Sequence, residues 1–469
     1  MSEEVLLLVI LVGAIVSYVL LRPCRSDEDT GDITRLEPNG DEDPIVTLKN
    51  STVAMRAARA GAPTLKSLWR LNNPFVSDSA ELQLSYRQAL YKALGRVDDC
   101  AWGGIARVVA NAVRPLLFRC TAPDGVCTIT ADLRQVSLNT SLAGVLKALF
   151  NIDNIACDNL SYMGSEIHRI ATEGKRHALT PDASKHIPEN VRRSADTLIQ
   201  TLQDVFIDAA VSTELAETIL YRVSGSPPPE EFNPLNLLLP AFEAPWRSTL
   251  YTLLAVLQSG PRSPEYALIL RSCPPDHSPD PQSLAIAYES LRLYPPIRRI
   301  SRVPESIDIE AIQRDPSIWG ATAQQFDPGR FLTPDKQQIR SSLVGSQQFA
   351  WIPFAIGTMK CPSARGFSVR MIVVVVGEIL RQLFPDDTPP EWNLDGEEWD
   401  TAARRGEVLR AGREEYQGVF KEKLDPFSSL TTHKQLALAD AMRADCDKEM
   451  RRDRIEPDDR SVNHKPHRL

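Results

Sequence analysis

The sequence has few residues of the kinds that build metal clusters or disulfide frameworks, and it has no long basic stripe. Its 8 cysteines stand at positions 24, 100, 120, 127, 157, 273, 361 and 446, without a C-x-x-C pair or a regular spacing. Neither a zinc site nor a set of disulfides is therefore indicated. The 7 histidines are dispersed, and the net charge of −8 argues against nucleic acid as a partner.

The chain is rich in apolar periodicity. Its 469 residues, 43% of them hydrophobic, are enough for one large domain or two smaller ones. Apolar residues recur three and four apart in "AELQLSYRQALYKAL" (80–94) and in "SADTLIQTLQDVFIDAA" (194–210), as is typical of amphipathic helices. Strand-like stretches are few and short, so residues 46–428 are predicted to form a mainly α domain with small β-sheets.

Residues 5–21 are predicted to be a single transmembrane anchor. These 17 residues carry no charge, which is near the minimum for crossing a bilayer. Acidic residues precede the segment and Arg22 and Arg25 follow it, so residues 1–4 are expected in the lumen and the rest in the cytosol. A cleaved signal peptide is the alternative, but a basic n-region and a small-x-small cleavage site are missing.

Two charged segments flank the predicted domain. Residues 22–45 are acidic and are interpreted as a linker that separates the domain from the membrane. Residues 429–469 are dense in charge and are predicted to form a tail, at first loosely helical and then disordered.

Two local patterns predict a buried charge cluster. In "YESLRLYPPIRRI", Glu289 and Arg292 stand three apart on an apolar helix and so share one face. In "QQFDPGRFLTP", Arg330 stands between aromatic and proline residues and is placed to reach the Glu289 carboxylate. The alternatives are an ordinary surface ion pair and an arginine at the rim of a loop.

A third pattern concerns the lone Cys361 in "PFAIGTMKCPSARG", where it follows Phe354 and Gly357. Pro362 and the apolar run after it predict a helix that begins directly after the cysteine. The amides and the dipole of that helix would favour a thiolate, the form that an iron ligand needs. A small apolar residue in a core is the alternative.

Together, in this order and spacing, the patterns resemble the cytochrome P450 family of haem-thiolate monooxygenases over nearly the whole chain. The stretch "IDIEAIQRDPSIWGATAQQFDPGRF" is similar to the family's connection between its Glu-x-x-Arg helix and its haem loop. The later "LRAGREEYQ" is similar to filamentous-fungal members. The motifs are Glu289-x-x-Arg292, Phe326-x-Pro328-x-Arg330-Phe331 and Phe354-x-x-Gly357-x-x-x-Cys361.

The resemblance implies the cytochrome P450 fold and a haem b between a long central helix and the helix after the cysteine. Cys361 is then the iron ligand, with Phe354 and Gly357 in the same loop. Arg299 matches the family's propionate-binding arginine. Arg107 is a weaker propionate candidate, because its spacing from Trp102 is one residue longer than usual.

Partners follow from the same resemblance. The chain has no glycine-rich dinucleotide loop, so electrons are expected from a separate NADPH-dependent flavoprotein reductase. Lys360, Arg365 and Arg370 are candidates for the basic face on which the reductase docks, or they simply solvate that face. The anchor predicts the endoplasmic reticulum membrane, with the catalytic domain cytosolic.

Two departures from the family lie beside the cysteine. The usual arginine two residues before it is Met359, which leaves the adjacent Lys360 as a possible propionate partner. The usual glycine two residues after it is Ser363.

The third departure lies in residues 236–258, the predicted central helix. The family's acid–threonine pair falls at Glu243 and Ala244, so the acid is kept but the threonine hydroxyl is lost; Pro245 follows. Glu243 is a candidate proton relay, or it forms a simple ion pair with Arg247 four residues later.

The implied activity is insertion of oxygen from O2 into a hydrophobic small molecule, in fungal secondary metabolism. The alternative is a haem-thiolate protein without O2 activation, either an isomerase or dehydratase or a haem-poor homologue. The missing threonine and arginine support the alternative.

Overall fold

The computed structural model describes the chain in segments. By its internal contacts the chain divides into two compact units, residues 1–118 with 129–420 and residues 119–128 with 421–469. The first unit holds every described helix; in the second, strand segments are described. The described residues are 62–71, 80–95, 97–121, 126–178, 187–209, 233–302, 305–340, 343, 345–355, 360–364, 366–384, 391–395 and 417–423.

Helices dominate the described residues, and the prediction of a mainly α fold with small sheets is confirmed. The helices are α1 (Ala62–Trp69), α2 (Ala80–Leu94), α3 (Asp99–Val113), α4 (Leu133–Phe150), α5 (Cys157–Ala178), α6 (Glu189–Asp208), α7 (Leu235–Leu257), α8 (Ser263–Ser272), α9 (Pro281–Leu293), α10 (Ile309–Gln313), α11 (Pro316–Trp319), α12 (Gln347–Ala350) and α13 (Phe367–Leu383). The amphipathic stretch 80–94 coincides with α2, and 194–210 lies almost wholly within α6.

Aspartates begin several of these helices. Each accepts a hydrogen bond from the backbone N–H three residues further on, at 2.8–3.0 Å, and so satisfies an otherwise unpaired donor of the first turn. These N-cap residues are Asp98, Asp132, Asp280 and Asp308.

The strands form two small sheets. One is four-stranded with the order β1-β2-β6-β5, and the other is the antiparallel pair β3-β4. In that pair Arg299 lies opposite Asp308. The strands are β1 (Phe118–Thr121), β2 (Val126–Asp132), β3 (Arg299–Arg302), β4 (Glu305–Asp308), β5 (Glu391–Asp395) and β6 (Gln417–Lys423).

Helix α7 is the centre of the core. Nearly all of its 23 residues are buried, and it packs against α4, α9 and α13. It continues through Pro240 and Pro245, although each lacks the N–H that would bond the carbonyl four residues earlier. The Tyr86 hydroxyl of α2 donates to one carbonyl left in this way, that of Asn236, at 3.4 Å.

The predicted helix directly after Cys361 is wrong in its position. Pro362–Ala364 forms a 3₁₀ turn, and α13 begins only at Phe367, after Gly366 with a φ of 108°. Because a positive φ is incompatible with a continuous right-handed helix, the chain changes direction between the cysteine and α13.

Several predicted segments lie outside the described residues. They are the anchor at 5–21, the linker at 22–45 and the tail at 429–469. Among the helices that are described, none is both long enough and apolar enough to cross a membrane.

A close backbone contact fixes α13 against α8. A Cβ added at Gly377 would lie 2.6 Å from the backbone carbonyl oxygen of Leu270, so Gly377→Ala would force the helices apart. We expect the free energy of unfolding to fall by about 1–3 kcal/mol, measured by urea denaturation.

Gly103→Ala is the matched control, because its added Cβ would lie 3.7 Å from the Asp276 side chain, an ordinary contact. Helix propensity should then raise the free energy of unfolding by about 0.5–1 kcal/mol. Equal stability changes in the two variants would contradict the packing argument.

Candidate functional site

Cys361 lies in a closed turn at the edge of the core. Its backbone N–H donates to the Phe354 carbonyl at 3.0 Å, and its own carbonyl accepts from the Ala364 N–H at 3.1 Å. These two bonds fix the backbone on either side of the sulfur. The side chain is buried, and Sγ lies 2.9 Å from the Ser363 hydroxyl.

The sulfur lies in an environment with opposing electrostatic effects. Burial raises the pKa of the Cys361 thiol, whereas hydrogen bonds from the Ser363 side chain and backbone and the charge of Arg87 lower it. Since burial is the largest effect, the thiol is favoured until a cation is bound at the sulfur. Stabilisation of a Cys361 thiolate by a helix dipole stays a prediction.

Cys361 lines an apolar cavity of about 940 Å³, part of it open to solvent. Helix α7 forms one wall through Ala241, Ala244 and Pro245, and α13 contributes Met371. Other lining side chains come from α2, α4 and the segment around Phe354. A cavity between the central helix and the helix after the cysteine is the location that the sequence predicted for the cofactor.

The cavity face of α7 is mostly without hydrogen-bonding side chains. Ala244 has none, and Pro245 cannot bond the Ala241 carbonyl. Ser248 and Thr249, about one turn further along, bring hydroxyls to the same cavity, and the Ser141 hydroxyl donates to Thr249 at 3.1 Å.

Glu243 does not line this cavity. Its carboxylate is fully buried and accepts a hydrogen bond from Arg247 at 2.7 Å. The Arg247 guanidinium lies over the Trp246 ring, 4.7 Å from its centroid. This geometry is the ion-pair alternative for Glu243, and its role as a proton relay stays a prediction.

The predicted charge cluster is present in the structure and contains Glu289, Arg292 and Arg330. Arg292 donates to both Glu289 carboxylate oxygens at 2.7 Å, and both side chains are fully buried. Arg330 Nε approaches Glu289 Oε1 at 3.4 Å, and the Asp327 N–H donates to the same oxygen at 2.9 Å. Burial raises the pKa of Glu289, and these hydrogen bonds and charges oppose it.

Arg292 also connects the cluster to later parts of the chain. It donates to the carbonyls of Gln313 and Ala323 at 2.7 and 2.8 Å, and it stacks over the Trp319 ring. The fully buried Gln313 side chain then accepts from the Ile352 N–H at 2.8 Å, two residues before Phe354. The cluster and the cysteine turn are thus joined through Gln313, which the sequence did not reveal.

The predicted propionate ligands lie in three different environments. Arg299 forms an ion pair with Asp308 at 2.5 Å across β3 and β4 and is not a lining residue of the cavity. Arg107 is exposed on α3, also away from the cavity lining, and its role as a propionate partner stays a prediction. Lys360 is exposed beside Cys361, and its role stays a prediction.

Arg87 on α2 is the buried arginine whose charge acts on Cys361. Arg87 was not identified from the sequence, because no tryptophan precedes it at the family's spacing. The available signal was a cation inside the apolar pattern of residues 80–94.

Arg370 pairs with Asp99 at 2.8 Å and stacks over Trp102. Gly357, Met359 and Arg365 lie outside the described residues.

Residues 284–384 match the family model described as Cytochrome P450. This part of the chain is thus similar to the cytochrome P450 family. The matched region runs from α9 to the end of α13, and so contains the charge cluster, the cysteine turn and the connection between them.

Parts of the chain are also similar to named proteins. The chain is 33% identical to cytochrome P450 750A1 of Pinus taeda over 91 residues, 19% of this chain and 16% of that protein. It is 29% identical to cytochrome P450 709B3 of Arabidopsis thaliana over 167 residues, 31% of each. It is 32% identical to leukotriene-B4 omega-hydroxylase 3 of Mus musculus over 120 residues, 22% of this chain and 21% of that protein. The matches thus span less than a third of the length of each of these proteins.

Haem is the cofactor that the family implies, and the site fits it. The cavity is apolar, and it presents a buried sulfur toward which Ser363 donates and near which Arg87 is positively charged. Thiolate sulfur is the cysteine ligand of haem iron. Cys361 is the residue that would hold the iron.

The charge cluster generates a stability prediction. Glu289→Ala leaves the Arg292 charge buried without its carboxylate, and we expect a loss of about 3–5 kcal/mol in the free energy of unfolding. Little folded, haem-loaded protein should be recovered, as measured by haem absorbance per mole of chain.

Glu189→Ala is the control, since the Glu189–Arg193 pair is exposed, with side chains 71% and 73% accessible. Its removal should cost under about 1 kcal/mol. A Glu289→Ala protein with normal stability and haem content but reduced turnover would show that Glu289 acts in the chemistry.

Proposed function

We propose that this protein is a cytochrome P450 monooxygenase that oxidises a hydrophobic small molecule with O2, using a haem b held by Cys361. The observation that carries the proposal is the buried Cys361 sulfur in the wall of an apolar cavity. A haem bound through the Cys361 thiolate would supply the chemistry that cleaves the O–O bond. The match of residues 284–384 to the cytochrome P450 family and the similarity to a named hydroxylase support the same class of reaction.

The chain's own residues bind the substrate and exclude water. The cavity is lined mainly by aliphatic and proline side chains from α2, α4, α7 and α13, which favours an apolar substrate because few polar groups are available to it. Ser363 and Arg87 oppose the effect of burial and so stabilise negative charge on the sulfur.

Proton supply at this site differs from the family pattern. Ala244 has no donor, and Glu243 is held by Arg247, so the remaining hydroxyls on this face of α7 are Ser248 and Thr249. These hydroxyls hold and pass the protons that O2 reduction consumes, together with water in the cavity.

Electrons come from an NADPH-dependent flavoprotein reductase that docks beside Lys360, and residues 5–21 anchor the protein in the endoplasmic reticulum membrane. The charge pattern around the anchor supports this orientation. Membership in filamentous-fungal secondary metabolism is proposed from the resemblance of the C-terminal sequence pattern.

A second candidate is an isomerase or dehydratase that uses haem without O2 activation. Ala244 and the Glu243–Arg247 ion pair favour it, because the usual acid and hydroxyl are both absent from the cavity. Product formation with neither reductase nor peroxide would identify this activity. A haem-poor homologue would instead show no stoichiometric haem.

The proposed function is tested by asking whether the Cys361 sulfur ligates haem iron. Reduced, CO-bound wild-type protein should show the red-shifted Soret band of thiolate ligation, and Cys361→Ser should abolish it because a hydroxyl does not replace the thiolate. Absorbance difference spectra of equal protein concentrations measure the band.

Cys273→Ser is the control, because Cys273 is also buried but does not line the cavity. It should keep the band. An unchanged spectrum in Cys361→Ser, or loss of the band in both variants, would contradict the assignment of the ligand.

The membrane proposal has its own test. Deletion of residues 1–25 should release the protein from membranes with haem binding intact, because the apolar segment supplies the attachment. Deletion of residues 26–45 removes a similar length of acidic sequence and should leave the protein attached. Retention of the first variant after a high-salt wash, seen by sedimentation, would indicate a second apolar attachment surface.

A further inference from the structure

We propose that Ser363 and Ser368 form a hydroxyl relay that donates to the Cys361 sulfur and weakens its electron donation to the haem iron. Ser363 stands where the family pattern has a glycine, so the relay is particular to this chain. The inference rests on the proposed function, because it needs a haem bound by Cys361.

The geometry gives the relay its direction. The Ser368 hydroxyl donates to the Ser363 hydroxyl oxygen at 2.5 Å, and the Ser363 oxygen lies 2.9 Å from Cys361 Sγ. Since Ser363 accepts from Ser368, its single hydroxyl proton is left to donate to the sulfur. A sulfur bound to iron as a thiolate has no proton of its own and can only accept.

The backbone holds both hydroxyls in place. Ser363 lies in the 3₁₀ turn closed by the bond from the Ala364 N–H to the Cys361 carbonyl, and Ser368 lies in the first turn of α13. Both side chains are half-buried and line the cavity that contains the sulfur. Cys361, Ser363 and Ser368 thus form a continuous polar path in a mainly apolar wall.

Hydrogen bonds to a ligating sulfur change the electronic properties of the metal. A donor withdraws negative charge from the thiolate, which stabilises the ferric state less and makes the iron easier to reduce. Charge-assisted hydrogen bonds are stronger than neutral ones, so the first hydroxyl should have the larger effect and Ser368 a smaller one through Ser363.

The experiment measures the haem reduction potential and the position of the CO-bound Soret band in purified holoprotein. Ser363→Ala should shift the potential to more negative values and the band to longer wavelength, because sulfur donation increases. Ser368→Ala should shift both in the same direction by less. Ser363→Thr, which keeps the hydroxyl, should restore values near the wild type.

Ser290→Ala is the matched control, because the Ser290 hydroxyl is also bonded to another hydroxyl, that of Thr252, at 2.8 Å. Ser290 does not line the cavity, so both readouts should stay at the wild-type values. A shift in Ser290→Ala equal to that in Ser363→Ala would overturn the relay, because the effect would then be general to buried hydroxyl pairs.

The outcomes separate the relay from the proposed function. A wild-type protein without the thiolate Soret band would refute the proposed function itself. A normal wild-type band with unchanged potential and band position in Ser363→Ala would overturn the relay alone. Should Ser363→Ala fail to retain haem, Ser368→Ala decides: a more negative potential supports the relay, and an unchanged one overturns it.

Discussion

The rest of the site depends on how one buried guanidinium is satisfied. Arg292 is fully buried, and a charge in that position is tolerated only with a counter-ion and hydrogen bonds. Glu289 supplies the counter-ion, and carbonyls of the segment after α10 supply the remaining acceptors. Because those acceptors belong to otherwise irregular backbone, the same bonds that satisfy the charge also determine the path of the chain.

That path leads to the cysteine. Gln313 bonds the carbonyls at the end of α9 through its amide nitrogen and the Ile352 N–H through its oxygen. Phe354 then accepts from the Cys361 N–H. The cysteine turn is thus positioned by a chain of hydrogen bonds that begins at the charge cluster, with α13 on its other side.

The sequence predicted those parts of the structure in which the residue types permit few arrangements. Glu289, Arg292 and Arg330 could be grouped because buried charges require partners, and α2 could be bounded from its apolar spacing. The 3₁₀ turn after Cys361 was not foreseen, since a proline suits the first position of either kind of helix. Gln313 and Arg87 act through contacts distant in sequence, which no local pattern contains. For Glu243 the four-residue spacing offered both a proton relay and an ion pair with Arg247, and only the packed structure distinguishes them.

Pro240 affects the rate at which small molecules enter and leave the cavity between α2 and α7. The Asn236 carbonyl that this proline leaves without its usual donor is bonded by Tyr86, and burial raises the pKa of that phenol, which keeps its proton available. Separating α2 from α7 would leave a buried carbonyl unsatisfied, at a cost of about 1–3 kcal/mol. This cost lowers the population in which α2 and α7 are separated by roughly five- to 150-fold. Small molecules therefore exchange more slowly between these two helices than they would past an ordinary pair of apolar helices.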